Sequence, residues 1–179
     1  MRKFEFTDKY IKELEDEFMI AWLDDKFYDF NITKDREERF ALDFKDYLDE
    51  MRNEWLPKRA TKHSCGYDFR LMEDVSINPE QRITKIGTGI RVYMNDMEHL
   101  EIQDRSSNPK KKGFFMPITG QIESDYKDEI FLLLFNYNED CIELKKGSRI
   151  AQGIFSTFLI TDDDTAKGKR EGGHGSTGE

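Results

Sequence analysis

The segment 105–126 brings together residue types that suit phosphate chemistry and hydrolysis. Arg105 is followed directly by Ser106 and Ser107, and three lysines come shortly afterwards. Guanidinium forks, ammonium groups and hydroxyls are side-chain groups that bind phosphate oxygens. The same segment contains Glu123, and a carboxylate held beside a water molecule can orient and deprotonate it. The pattern predicts that a small anionic ligand and a reactive water meet here, although a solvated basic loop has the same composition.

The end of this segment indicates a short hairpin that presents polar side chains. Gly120 predicts a turn, and the alternation that follows puts Glu123 and Asp125 on one side if the chain is extended. Tyr126 comes next, with a ring that can lie against a sugar or a base. The plainer interpretation is a hairpin with charged outer positions.

Three further motifs place polar groups at the ends of predicted strands. In S-C-G-Y-D, Gly66 permits a close approach of the backbone, and Asp68 is either a site carboxylate or an acceptor that satisfies a turn. T-G-I, which begins at Thr88, is typical of an ordinary turn. In G-S-R-I-A-Q, Arg149 and Gln152 lie on a strand that starts after a glycine. Taken singly, each motif is explained by ordinary turns and strand starts.

Residues 161–179 are polar and end in G-G-H-G-S-T-G-E. Such a tail has too little apolar surface to bury, so we expect it to be mobile when alone. Backbone N–H groups of glycine-rich segments can cradle phosphates. The tail lacks the GxxxxGK[ST] spacing of a P-loop, and a flexible terminus is the simpler interpretation.

Composition and charge exclude several classes of protein. A net charge of −9 and a pI of about 5.0 argue against a general nucleic-acid binder, which needs a basic face. No apolar run reaches the roughly 18 residues that a membrane span needs. Cys65 and Cys141 are far apart and predict free thiols in a reducing compartment, and the three histidines are too scattered for a zinc site. We therefore expect a cytoplasmic protein without a membrane partner.

The chain divides by pattern into a helical region at 1–56, a β region at 57–160 and the tail. Thr7 and Thr33 are candidate N-caps of two helices. Apolar residues at helical spacing follow each cap: Ile11, Leu14, Phe18 and Trp22 in the first helix, and Phe40, Phe44, Tyr47, Leu48, Met51 and Trp55 in the second. These helices are interpreted as an accessory hairpin packed on the main domain, and a module that binds a protein partner is the alternative.

Leu56-Pro57 ends the helical region, and many short β-type runs follow. The predicted strands are Tyr67–Leu71, Ile83–Ile86, Ile90–Met94, Leu100–Gln103, Gly113–Met116, Glu129–Asn136, Ile142–Leu144 and Arg149–Ile160. Short strands at near-regular spacing predict a mainly β fold: a sandwich, a barrel or a jelly roll.

The ordered set of motifs resembles the trimeric dUTPase family. S-C-G-Y-D, T-G-I, R-S-S, G-Q-I-E-S-D-Y, G-S-R-I-A-Q and G-G-H-G-S-T-G occur in the family's order from about Leu56 to Glu179. His174 stands where Phe is more usual, which is similar to bacteriophage and prophage members; for a phage protein the host cytoplasm is implied. The resemblance implies a jelly-roll-like β domain and a homotrimer with shared active sites. It also implies hydrolysis of dUTP to dUMP and pyrophosphate, with Mg²⁺ bound through the triphosphate rather than directly by the protein.

The resemblance also implies a role for each matching residue. Glu123 positions the water, Asp68 organises the surroundings of the metal and triphosphate, and Arg105 supports Asp68 and the phosphates. Tyr126 stacks on deoxyribose and leaves no room for a 2′-hydroxyl. The implied substrate contacts are Ser106, Ser107, Gly120 and Gln152, with Arg170 (or Lys169), His174, Gly175, Ser176 and Thr177 in the tail that closes over the site.

Three positions depart from the family pattern. Glu123 stands where Asp is usual, Pro117 where Asn reads the uracil edge, and Asp128 where Gly is usual. Pro117 motivates a first alternative, a related pyrophosphatase for dCTP or a modified pyrimidine nucleotide. Glu123 motivates a second, a nucleotide-binding regulatory protein with little turnover.

Overall fold

The computed structural model describes residues 1–26, 34–79, 83–117, 120–168 and 170. The two helices are α1 (Asp8–Lys26) and α2 (Lys34–Trp55). The strands are β1 (Lys3–Phe6), β2 (Lys58–Arg59), β3 (Tyr67–Arg70), β4 (Val75–Ile77), β5 (Thr84–Gly87), β6 (Ile90–Tyr93), β7 (Glu98–Asp104), β8 (Phe114–Phe115), β9 (Gly120–Glu123), β10 (Phe131–Asn136), β11 (Ile142–Leu144) and β12 (Arg149–Thr157). A short π-helical turn, Asn108–Lys112, precedes β8.

The predicted helical hairpin is present. The backbone N–H of Tyr10 donates to the Thr7 hydroxyl at 3.2 Å, so Thr7 caps α1 as predicted. Phe18 stacks on Tyr47 of α2 with ring centroids 4.8 Å apart, and the Trp22 indole N–H donates to Asp43 at 3.0 Å. The predicted cap Thr33 lies outside the described residues. Neither α1 nor α2 has a stretch apolar enough to cross a lipid bilayer.

The first residues of the chain do not form part of the helical region. Lys3–Phe6 forms the strand β1, which pairs antiparallel with β6 so that Phe6 lies opposite Ile90. Phe6 is fully buried in the core that it shares with Phe69, Leu100 and Ile102. The prediction of a helical pattern from residue 1 was therefore wrong for this strand. The two helices interrupt the β fold between β1 and β2 instead of preceding it.

The mainly β fold is confirmed, and its strands form small antiparallel sheets. The largest sheet has the order β2-β3-β12-β7-β9, a second has β5-β10-β8, and β1-β6 and β11-β4 form two pairs. The predicted strands are all present, with ends shifted by up to three residues. No pattern in the sequence predicted β1, β2, β4 or the π-helical turn.

The five-stranded sheet has an apolar face and a polar face. Phe69, Leu100 and Ile102 point into the core from alternate positions. The residues between them face the other side. There, Gln152 lies opposite both Asp68 and Gln103, and His99 lies opposite Glu123. The predicted side chains Asp68, Gln152 and Glu123 therefore share the polar face. Gly120, predicted as a turn residue, instead begins β9 opposite Ile102 on the apolar face.

Candidate active site

Asp68 is the centre of a basic cluster at one end of the polar face. Its Oδ1 accepts from Arg105 Nε at 3.0 Å, and its Oδ2 accepts from Arg149 Nη1 at 3.0 Å. The Asp68 side chain is 14% exposed, so water screens these two pairs only in part. The carboxylate therefore holds two guanidinium groups side by side, an arrangement that suits phosphate oxygens.

Local backbone features position these two arginines. The pairing of β12 with β3 shifts register between Arg149 and Ala151, and such a bulge re-aims the side chain at its start. Arg105 directly follows the last residue of β7. There, Asp104 accepts from Asn108 Nδ2 at 2.7 Å and from the Met116 N–H at 3.3 Å. These bonds anchor the π-helical turn directly behind the arginine.

Lys112 completes the basic cluster from the end of that turn. Its Nζ donates to the Arg149 carbonyl at 3.1 Å, and Arg105 Nη1 is 3.4 Å from the same oxygen. Burial lowers the pKa of the Lys112 ammonium, and the nearby positive charges of Arg105 and Arg149 lower it further. Mutual repulsion among these cations means that a bound anion would stabilise all three.

The hydroxyl and amide groups predicted to contact phosphate lie beside this cluster. Ser106 is exposed directly after Arg105, and Ser107 is the N-cap residue of the π-helical turn. Gln152 donates from Nε2 to the Asp104 carbonyl at 3.4 Å. A Cβ at Gly66 would lie 2.4 Å from Gln152 Oε1, so the glycine of S-C-G-Y-D gives the Gln152 side chain its space.

Glu123 lies in a second, acidic cluster at the other end of the sheet. Its Oε2 accepts from Arg170 Nη2 at 2.8 Å, and Asp125 Oδ1 accepts from Arg170 Nε at 2.9 Å. The hydrogen bond to Asp125 and the charge of Glu123 raise the pKa of Arg170. The strand β9 ends at Glu123 and the chain then turns. The two carboxylates therefore meet on one guanidinium across a turn, and the premise of an extended chain through Asp125 was wrong.

Tyr126 packs next to this acidic cluster. Its ring is 7% exposed, its hydroxyl donates to the Glu129 carbonyl at 2.6 Å, and the Arg170 guanidinium lies 5.9 Å from its centroid. Burial raises the pKa of the Tyr126 hydroxyl, and the charges of Asp128 and Glu129 add to the increase. The hydroxyl end of the Tyr126 ring is thus fixed by a hydrogen bond, and the Arg170 guanidinium lies over one face of the ring.

The two clusters are too far apart in one protomer to act on the same phosphorus atom. Asp68 and Glu123 lie three strands apart in the sheet. Along β7 their rows are those of Gln103 and His99. Strand spacing and rise per residue convert these offsets into a separation of about 20 Å. A carboxylate acts on a water only within hydrogen-bond reach, so Glu123 cannot act on a phosphate group held beside Asp68 of the same chain.

The described residues include no group of three or more His, Cys, Asp or Glu side chains placed to hold a metal ion. Asp68 lies beside the predicted phosphate groups, but both of its oxygens accept from arginines. Oxygen atoms of a bound triphosphate are the ligands that Mg²⁺ prefers. This donor set is compatible with a Mg²⁺ ion that the nucleotide carries.

Two residues of the basic cluster were not among the predicted site residues. Arg149 lay in the G-S-R-I-A-Q motif and Lys112 in the basic segment, so their types were visible in the sequence. Their convergence on Asp68 and Arg105 depends on a bulge and on a π-helical turn, which have no clear sequence signature. The tail residues Lys169, His174, Gly175, Ser176 and Thr177 lie outside the described residues.

The net charge of the chain is concentrated in the helical insertion. Residues 8–55 contain 16 acidic and 8 basic residues, which accounts for −8 of the total of −9. The β fold that carries the basic cluster is therefore almost neutral. The acidity of the whole chain does not oppose the binding of an anion at Arg105.

Comparison with known proteins gives one consistent family. The model of the dUTPase family matches residues 52–178. The deoxyuridine 5'-triphosphate nucleotidohydrolase of Lactococcus lactis subsp. lactis is 41% identical over 132 residues, which are 69% of this chain and 87% of the relative. The enzyme of the same name from Paramecium bursaria Chlorella virus 1 is 36% identical, over 68% of this chain and 89% of the relative.

Solved structures agree with this match. The dUTPase from Streptococcus mutans superposes with a TM-score of 0.58 at 36% identity, covering 62% of this chain and 91% of that chain. The dUTPase from phage phi11 of S. aureus has a TM-score of 0.57 at 17% identity, covering 66% and 93%, which shows a shared fold. The family match begins only a few residues before the end of α2, so most of the helical insertion lies outside it. From residue 52 onwards, this chain belongs to the dUTPase family.

Proposed function

We propose that this chain hydrolyses dUTP to dUMP and pyrophosphate in active sites shared between neighbouring copies. Its relatives are named as nucleotidohydrolases of deoxyuridine 5'-triphosphate. The observation that carries the proposal is the basic cluster in which Arg105 and Arg149 converge on Asp68, each at 3.0 Å. This cluster binds the triphosphate, with Ser106 and Gln152 as further donors.

The separation of the two clusters supports a homotrimer with one site at each subunit boundary. If Glu123 of one protomer lies against the basic cluster of its neighbour, the separation of about 20 Å within one chain no longer matters. A closed ring of three copies repeats the same contact at every boundary and leaves none unsatisfied. Each site then draws the phosphate-binding groups from one copy and the carboxylate from another.

Glu123 acts as the general base in this arrangement. Its carboxylate takes a proton from a water molecule while the water oxygen bonds to the α-phosphorus. The bond from that phosphorus to the bridging oxygen breaks, and the electron pair leaves with pyrophosphate. Arg105, Arg149 and Lys112 stabilise the negative charge that develops on the phosphate oxygens. Mg²⁺ bound through the triphosphate would neutralise further charge on the same oxygens.

Glu123 has one methylene more than the Asp that is usual at this position, and an ion pair holds its carboxylate in place. Arg170 bridges Glu123 and Asp125, so the longer side chain has a fixed partner instead of a free choice of rotamers. Tyr126 provides the surface for deoxyribose. The tail residues His174, Gly175, Ser176 and Thr177 are proposed to cover the base and the terminal phosphate. Neither a preference for another pyrimidine nor a purely regulatory role gains support from the relatives.

Mixing two inactive variants tests the shared site. Glu123→Gln removes the base and Arg105→Ala removes a phosphate ligand, so each variant alone should release little pyrophosphate from dUTP. If one site uses groups from two copies, refolding the variants together restores about a quarter of the sites by random assembly. If both groups act within one chain, the mixture stays inactive. Each variant refolded alone is the control, and dCTP, dTTP and UTP in parallel test the choice of nucleotide.

A further inference from the structure

The turn between β5 and β6 is contacted from two sides. Residues 7–10, the root of the helical insertion, lie on one side, and the segment that follows Tyr126 lies on the other. The turn consists of Thr88 and Gly89. Gly89 contacts both segments, and Thr88 forms hydrogen bonds with the segment that follows Tyr126. The turn therefore connects a part of the chain outside the family match with a residue proposed to recognise the sugar.

The insertion contacts the turn through the first residues before and within α1. The Thr7 N–H donates to the Gly89 carbonyl at 2.8 Å. Gly89 has φ of +65°, and a Cβ at this position would lie 2.7 Å from the Tyr10 ring. Tyr10 thus packs directly on the turn backbone, in a space that a side chain would fill. Asp8 and Arg91 form an ion pair at 2.8 Å beside this contact.

Glu129 contacts the turn from the opposite side. Its Oε1 accepts from the Gly89 N–H at 2.7 Å. The next residue, Ile130, accepts from the Thr88 hydroxyl at 2.7 Å and donates its N–H to the Ile90 carbonyl at 2.9 Å. Three hydrogen bonds therefore fix the backbone around Glu129 relative to the turn. The carbonyl of Glu129 is the group that accepts from the Tyr126 hydroxyl.

We propose that Glu129 is a positioning residue for Tyr126, and that the root of the helical insertion acts on sugar discrimination through Glu129 and the Gly89 turn. This inference depends on the proposed role of Tyr126 in excluding the ribose 2′-hydroxyl. The Glu129 carboxylate holds its own backbone in place, and that backbone orients the Tyr126 ring. Tyr10 braces the turn from behind, so loosening Tyr10 loosens the same ring.

The experiment measures kcat/KM for dUTP and for UTP, and the ratio of the two, in the full-length protein. Glu129→Ala and Glu129→Asp both withdraw the acceptor from the Gly89 N–H, and Asp retains the charge. Loss of one such hydrogen bond corresponds to a fall of about 5- to 10-fold in the dUTP/UTP ratio. Glu129→Gln keeps an oxygen at the same distance and should stay within about 2-fold of the wild-type ratio.

Tyr10→Ala tests the helical side of the connection. It should lower the dUTP/UTP ratio by about 3-fold, because the bond from Thr7 to Gly89 remains. Glu139→Ala, at an exposed glutamate, is the control and should leave the ratio unchanged. A purely structural role would lower kcat/KM equally for both nucleotides and leave the ratio alone.

Three results would overturn the proposal: an unchanged ratio in Glu129→Ala and Glu129→Asp, a Gln variant as defective as Ala, or an unchanged ratio in Tyr10→Ala. Tyr126→Ala separates this failure from failure of the proposed function. If Tyr126→Ala leaves the ratio unchanged, Tyr126 does not discriminate the sugar at all. If it lowers the ratio while the Glu129 variants do not, only the positioning role is wrong.

Discussion

The two ends of the polar sheet face have opposite charge ratios. At one end a single carboxylate, Asp68, holds two arginines, with Lys112 nearby. At the other end a single arginine, Arg170, holds two carboxylates. An excess of positive charge suits the binding of a triphosphate, and an excess of carboxylate suits the removal of a proton from water. Under the proposed function, binding and proton transfer therefore belong to separate surfaces, which would meet between neighbouring copies.

The largest expected effect comes from removing the base at the acidic end. Glu123→Gln keeps the size of the side chain but cannot take a proton from water. We expect kcat for dUTP to fall by about 10²- to 10⁴-fold with little change in KM. Steady-state pyrophosphate release measures both constants.

Asp125→Asn is the matched control for this variant, because Asp125 shares Arg170 with Glu123. It should keep kcat within about 10-fold of wild type, since the base itself remains. If Asp125→Asn lowers kcat as much as Glu123→Gln, or if the Gln variant keeps its turnover, Glu123 is not the base.

A substitution in the basic cluster should change KM for dUTP and the free energy of unfolding, and not kcat alone. Asp68→Asn leaves Arg105 and Arg149 adjacent without a counter-charge. We expect KM for dUTP to rise by about 10-fold and the free energy of unfolding to fall by about 2 kcal/mol, the contribution of hydrogen bonds to a charged group. Urea unfolding and steady-state kinetics check the two effects.

The ion pair between Glu123 and Arg170 is more exposed than the Asp68 cluster, so its loss should destabilise the protein less. The Glu123 side chain is 45% exposed, and Glu123→Gln should change the unfolding free energy by less than about 1 kcal/mol. Equal losses in the two variants would contradict the distinction between a half-buried and an exposed cluster.

Substitutions of Lys112 and Lys110 distinguish a lysine of the basic cluster from a solvent-exposed lysine. Lys112→Ala removes a charge that converges with Arg105 and Arg149, so KM for dUTP should rise by about 5-fold, with a smaller rise at high salt. Lys110 is exposed in the same turn, and Lys110→Ala should leave KM nearly unchanged. Kinetics at two ionic strengths test the pair, and equal effects of both substitutions would show only a general electrostatic contribution.

The smallest effect on activity is expected at the ion pair of Glu98, which precedes the Glu123 partner His99 and therefore faces the other side of the sheet. Glu98 accepts from Arg2 Nε at 2.8 Å and from Asn95 Nδ2 at 3.0 Å. The Arg2 hydrogen bond, followed by that of Asn95, lowers the pKa of Glu98 to about 2, from 4.5. Its stabilising effect is therefore complete above pH 4.5 and is lost as the pH falls towards 2.

Glu98→Gln should consequently lower Tm near pH 6 and weaken the decline of Tm between pH 5 and pH 3, while kcat and KM stay at wild-type values. Thermal unfolding across this pH range is the measurement. A parallel downward shift of Tm at every pH would contradict the assignment of this titration to Glu98.

Much of the fold could be predicted because its signals are local. The Thr7 cap and the periodic apolar residues of α1 and α2 give the helices, and alternating apolar runs give most of the strands. The strand β1 was missed because Lys3–Phe6 is short and precedes a strong helical pattern, and its partner β6 lies far along the chain. The two-residue strand β2 was missed because it carries too few residues for a periodic pattern.

The candidate site was predictable in its residue types but not in its geometry. Asp68, Arg105, Ser106 and Gln152 were identified from motif order, and the structure places them together. Arg149 and Lys112 join them through a bulge and a π-helical turn that depend on tertiary contacts. The distance between Asp68 and Glu123 depends on sheet order, which no local pattern in the sequence specifies.

The pairing of β1 with β6 joins two segments that lie far apart in the chain. Phe6 is synthesised 84 residues before its partner Ile90. Closing a loop of that length carries an entropic cost that grows with the number of flexible residues in it. The helices α1 and α2 form from local contacts and shorten the effective loop before the strand arrives. We therefore expect the insertion to act as a folded connector that shortens the distance between the first strand and its partner.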